Sequence, residues 1–98
     1  MANYIVLGNY TEQGIRNIKD TGKRAEAIRS IAEKAGITII ETYWTLGQYD
    51  VILIADAPDD ESMAALALSI GSLGNVRTQI LPAYSADGIS RILGKMVL

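Results

Sequence analysis

LGQYDVILIADAPDD, residues 46–60, is the stretch whose reading decides the fold. Gly47, Tyr49 and Asp50 make a polar turn that runs straight into Val51, Ile52, Leu53, Ile54 and Ala55, with no polar position among the five. A strand with one face in water alternates apolar and polar side chains, so this unbroken run predicts cover on both faces. Pro58 stops the strand. Asp59 is placed to cap a helix, with Asp60 and Glu61 at the positive end of its dipole.

Upstream, ITIIETYWT (37–45) reads as a strand, and Gly47 in the short link makes a hairpin with DVILIAD (50–56) the natural connection. NYIVLGNY (3–10) is β-branched and aromatic, a first strand. Thr11 suits a helix N-cap, and DTG (20–22) interrupts the helical segment after it. The spacing predicts a short helix, a break, and a longer helix from Lys23 to about Ala35, with Ala25, Ile28, Ile31, Ala32 and Ala35 inward and Gly36 at its end. Downstream, a helix to about Leu73 buries Met63, Leu66, Ala67, Ile70 and Leu73 before Gly74-Asn75. VRTQIL (76–81) alternates as a fourth strand closed by Pro82. Ser85 caps a last helix over 86–94, with Ile89, Ile92 and Leu93 on its apolar side.

The order βαββαβ plus a C-terminal helix predicts an α+β, ferredoxin-like fold with an antiparallel sheet in the order 4-1-3-2. Strands one and three are then central, and they are the two that fail to alternate. The edge strands hold the polar positions Glu41, Thr42, Arg77 and Gln79. The sheet face opposite the helices therefore needs a cover, since an open one would be a large exposed apolar patch. A second copy packed sheet to sheet is the preferred cover. It would close a two-fold dimeric α+β barrel, a homodimer open to higher assembly. The alternative is the C-terminal helix folding back. That tail has only about three turns and must first cap strand four.

Composition bounds the function. The 98 residues suit a single domain over 1–98. A net charge of −2 speaks against a nucleic-acid partner. There is no cysteine and no histidine, which removes the thiolate nucleophile, the commonest general base and the commonest transition-metal ligand. No apolar run nears the ~18 residues of a membrane span, and no signal segment is seen. The expectation is a soluble cytoplasmic protein with no membrane association, metal or cofactor.

Three segments, TEQGIRNIKD (11–20), TLGQYDVILIADAPDDE (45–61) and LGNVRTQILPAY (73–84), together resemble the GYD domain family, whose Gly…Tyr-Asp element is here Gly47, Tyr49 and Asp50. The resemblance covers about residues 3–93. It implies membership of the dimeric α+β barrel superfamily and supports the face-to-face dimer. That superfamily includes cofactor-independent monooxygenases, haem-degrading enzymes, stress-response barrels and effector-binding domains. The haem-degrading members use a histidine ligand, which this chain lacks. Fold kinship assigns no reaction.

The candidate ligand-binding residues are Tyr43, Tyr49, Asp50 and Arg77. Asp50 is either a bond to the backbone of its own turn or a rim carboxylate able to take a proton or hold a polar head. Tyr49 is a packing ring or a ligand contact. Tyr43 and Trp44 are adjacent on a strand and point to opposite faces, one under the first helix and one toward the partner or pocket. Glu41 with Tyr43, and Arg77 with Gln79, are solvated edge positions or the two sides of a barrel interior. The basic residues Arg16, Lys19, Lys23, Arg24 and Arg29 read as a solvated helix face, and DAPDDE (56–61) as helix capping rather than a metal site. Gly8 inside a strand marks a bulge or a close approach. The leading function is a dimer that binds an apolar or aromatic small molecule in a cavity between sheet and helices or at the barrel mouth, with Tyr43, Tyr49, Asp50 and Arg77 fixing its orientation. A structural assembly module and a cofactor-independent monooxygenase-like enzyme with Asp50 as base stay open beside it.

Overall fold

A computed structural model of the chain describes residues 2–98. Its elements are β1 (Ala2–Tyr10), α1 (Glu12–Arg16), a 3-10 turn (Ile18–Asp20), α2 (Thr21–Lys34), β2 (Thr38–Trp44), β3 (Val51–Ala57), α3 (Asp60–Ser72), β4 (Val76–Ala83) and α4 (Ala86–Gly94). The strands form one antiparallel sheet in the order β2-β3-β1-β4. That is the expected 4-1-3-2 read from its other edge, and the α+β fold is consistent with the ferredoxin-like class.

Local chemistry sets the element ends. Thr11, Asp59 and Ser85 each cap a helix by accepting from a backbone N–H three residues on, at Gly14, Ser62 and Gly88. Thr11 also donates to the Gly74 carbonyl at 2.6 Å, tying α1 to the end of α3. Gly47 has φ 128 in the β2–β3 connection, backbone that side chains rarely adopt. The expected break near DTG is the 3-10 turn, and α2 begins at Thr21, two residues earlier than Lys23. Arg24 spans that break, donating to the carbonyls of Asn17 at 2.9 Å and Gly14 at 3.3 Å. β4 runs past Pro82 to Ala83, because it is an edge strand where a missing N–H is tolerated.

The helix-side face of the sheet carries Tyr4, Val6, Leu53, Ala55, Ala57 and Ile39, which join Ala32, Ile37, Met63, Leu66 and Ile70 in one buried core. Leu73, Ile31 and Ala35, expected inside, are exposed. The other face is fixed by register. Ile5 pairs with Ile54 and Leu81, Leu7 with Ile52 and Gln79, and Asn9 with Arg77. A bulge at Ile40 shifts β2 by one residue, so Ile39 lies under the helices while Glu41 and Tyr43 sit on the opposite face beside Ile54 and Ile52. The central Ile5, Leu7, Ile52 and Ile54 are half-buried there. α4 makes at most marginal contact with any other element and does not fold back over this face. Its Ile89, Leu93 and the following Met96, Val97 and Leu98 are exposed.

Candidate functional site

Two of the sequence candidates lie on the open sheet face. Tyr43 on β2 and Arg77 on β4 both point to it, from opposite edges. Three strand spacings separate those edges, roughly 14 Å, and Glu41 lies farther still from Arg77, because its row across the sheet ends at Leu81. The β2–β3 loop folds toward this side. Asn9 donates its side-chain N–H to the Gln48 carbonyl at 2.6 Å, and the Tyr49 hydroxyl donates to Gln79 Oε1 at 3.4 Å. Asp50 is a structural clamp. Its Oδ2 accepts from the Tyr10 N–H at 2.9 Å, its own N–H donates to the Gly8 carbonyl, and its carbonyl accepts from the Thr45 N–H. The carboxylate thus holds the end of β1, a strand distant in sequence, rather than its own turn. The structure brings Tyr49 and Asp50 to one end of the sheet and leaves Tyr43 and Arg77 on either flank.

The acids of the DAPDDE stretch are likewise engaged. Asp59 accepts from Ser62 N–H at 2.8 Å, and that bond holds its carboxyl below the usual aspartate range. Asp60 accepts from the Tyr4 hydroxyl. That hydrogen bond, with burial and the Asp60 charge, pushes the Tyr4 phenol up to about 12. Among the described residues, no three acid, histidine or cysteine side chains converge as a metal site would need.

A second place is only faintly signalled in the sequence. Between the helix-side face of the sheet and the helices lies a partly open cavity of about 200 Å³. Its walls are apolar, with Val6, Ile28, Ile39, Leu53, Ile70 and Val76 among them, and Gly8 is in its lining. A Cβ on Gly8 would meet Val51 Cγ1 at 2.7 Å and Val76 Cγ1 at 3.0 Å, so the strand pairs tightly there without a bulge. Polar groups collect on its solvent-reaching residues: Tyr10, Thr21, Arg24 and Trp44. The Tyr10 hydroxyl and Thr21 Oγ1 lie 2.7 Å apart, and Trp44 Nε1 donates to Thr21 Oγ1 at 3.0 Å. Trp44 is therefore the helix-side member of the Tyr43-Trp44 pair. Gly8 and the one ring of the Tyr43-Trp44 pair expected under a helix are the hints of this place in the sequence. Thr21 and Arg24 belong there to a break and a solvated helix, and only the packing of α2 beside β1 and β2 makes them neighbours of Tyr10 and Trp44.

Residues 4–93 match the GYD domain family. The chain is also 30% identical over 94 residues to a Thermus thermophilus protein described as a glutamine synthetase and cystathionine beta-lyase binding protein, covering 94% of this chain and 99% of the relative. No solved structure matches it.

Proposed function

We propose that this chain, which belongs to the GYD domain family, is a protein-binding module that works as a homodimer and docks on enzymes of amino-acid metabolism. The observation that carries this reading is the description of the Thermus thermophilus relative as a binding protein for two enzymes, with similarity along nearly the whole of both chains. The surface fits such a role. The open sheet face has an apolar centre of Ile5, Leu7, Ile52 and Ile54, and α4 presents Ile89 and Leu93 to solvent. A second copy against the open face would bury that centre and place Tyr43, Tyr49 and Arg77 around the enclosure, and α4 is left free for a partner. The cytoplasmic location expected from the sequence belongs to the same proposal. Catalysis with Asp50 as base is less supported, because its carboxylate is already committed to the Tyr10 N–H.

The test uses purified glutamine synthetase and cystathionine β-lyase from the organism that encodes this chain, each immobilised and titrated with the full-length protein. Saturable binding to at least one is expected, and the absence of binding to both overturns the partner assignment. Sedimentation velocity tests the dimer: a species of twice 10.6 kDa is expected, and a monomer at high micromolar concentration removes that part.

A second reading, small-molecule binding, is favoured by one observation, the apolar cavity with polar groups at its edge. Saturable thermal stabilisation by a metabolite tests it.

A further inference from the structure

We propose that the cavity beside α2 binds a small monocarboxylate with an aromatic or branched apolar body, its acid group held at Arg24 and the Tyr10–Thr21 pair. This rests on the small-molecule reading and adds the site and the ligand class.

Size sets the first limit. A dry apolar cavity of about 150 Å³ takes a benzene ring. The cavity here, about 200 Å³, takes one ring or a branched chain with a short arm, and is too small for a nucleotide or a sugar phosphate. The apolar walls select a hydrocarbon body.

Charge sets the second. Arg24 is the one charged side chain among the described lining residues, and no carboxylate shares the cavity with it. Its hydrogen bonds run to two neutral carbonyls, of Asn17 and Gly14, so among the described residues no carboxylate is bonded to it and further N–H donors are spare. A guanidinium with spare donors matches a carboxylate in geometry as well as charge.

Proton counting sets the third. Tyr10 and Thr21 carry two hydroxyl protons, and a single hydrogen bond joins them. Trp44 can only donate, and it fills an acceptor site on Thr21 Oγ1. Whichever hydroxyl donates to the other, one O–H is left without an acceptor among these bonds. The edge of the cavity thus offers a cation and a free donor, and the group that satisfies both is an anion.

Isothermal titration calorimetry on the full chain tests this with phenylacetate, 3-methylbutanoate and the neutral phenylacetamide. Phenylacetate is expected to bind at one site per chain, at least about tenfold more tightly than the amide, a preference of the size a charge-assisted bond confers. Arg24→Gln is expected to erase that preference. Ala25→Leu, which fills the cavity from α2, is expected to abolish binding with the circular dichroism spectrum unchanged. If neither acid binds at millimolar concentration, the ligand class is overturned, and the small-molecule reading is decided separately by thermal stabilisation with other metabolites. If acid and amide bind equally in the unmodified protein, the carboxylate class is overturned while the cavity stands. If binding survives Ala25→Leu, the location is wrong. The acid–amide comparison needs no variant, so a misfolded Arg24→Gln does not spare the proposal.

Discussion

On β3, Leu53 lies under the helices at 8% exposure, while its neighbour Ile54 remains half-exposed on the other side of the sheet. The two faces of the central strands are built from the same residue types. One face finds its cover within the chain, in α2 and α3. The other finds none among the described residues, and α4, the element that could have reached it, makes at most marginal contact with the rest and leaves its own apolar side exposed. Strand composition therefore reports how much cover a sheet needs, and does not report which chain supplies it.

Substitutions on the two faces probe that contrast. Leu53→Ala removes core contacts and is expected to cost about 3 kcal/mol in urea unfolding, independent of protein concentration. A concentration-dependent loss would mean that the helix-side face also relies on a partner. Ile54→Lys, on the open face, is expected to weaken the proposed self-association by about a hundredfold or more, since it would bury an unpaired charge between the two copies. The isolated fold should survive, so sedimentation should show a folded monomer. Unchanged association would place the dimer contact elsewhere. Asp50→Ala strips the Tyr10 N–H of its acceptor and is expected to cost about 2 kcal/mol. A loss of partner or ligand binding without loss of stability would instead restore Asp50 as a site residue.

Smaller effects sharpen the helix side. Thr11→Ala removes a cap and the link to Gly74, for about 1 kcal/mol of stability, read from the thermal midpoint. Tyr4 should leave neutral-pH stability unaffected by pH. Its phenol is held protonated in the folded state, so its contribution is complete below the ordinary tyrosine pKa near 10 and is lost as pH rises toward about 12. An alkaline unfolding series compared with Tyr4→Phe checks this, and the variant should lose the extra pH dependence in that window.

Much of the fold is legible in the sequence because its signals are local. The caps at Thr11, Asp59 and Ser85 act within three residues of themselves, and Gly47 answers a single dihedral. The span of α4, 86–94, needs only Ser85 and its apolar spacing. Less of the site is legible. Sequence reasoning ties the carboxylate of Asp50 to its own turn or to a pocket rim, and it serves Tyr10, forty residues earlier in the chain. Tyr43 and Arg77 stand on the two edge strands, as their place in the element order implies.

The element order βαββαβ was enough, from sequence alone, to put the first and third strands at the middle of an antiparallel sheet, and their non-alternating apolar runs called for cover on both faces, because side-chain alternation is a property of each strand by itself. The bulge at Ile40, which sends Glu41 and Tyr43 away from the helices, and the gap beside α2 that gathers Tyr10, Thr21, Arg24 and Trp44 were decided only in three dimensions. Register and helix placement are set by many weak contacts between distant segments, and no single stretch of sequence carries their sum.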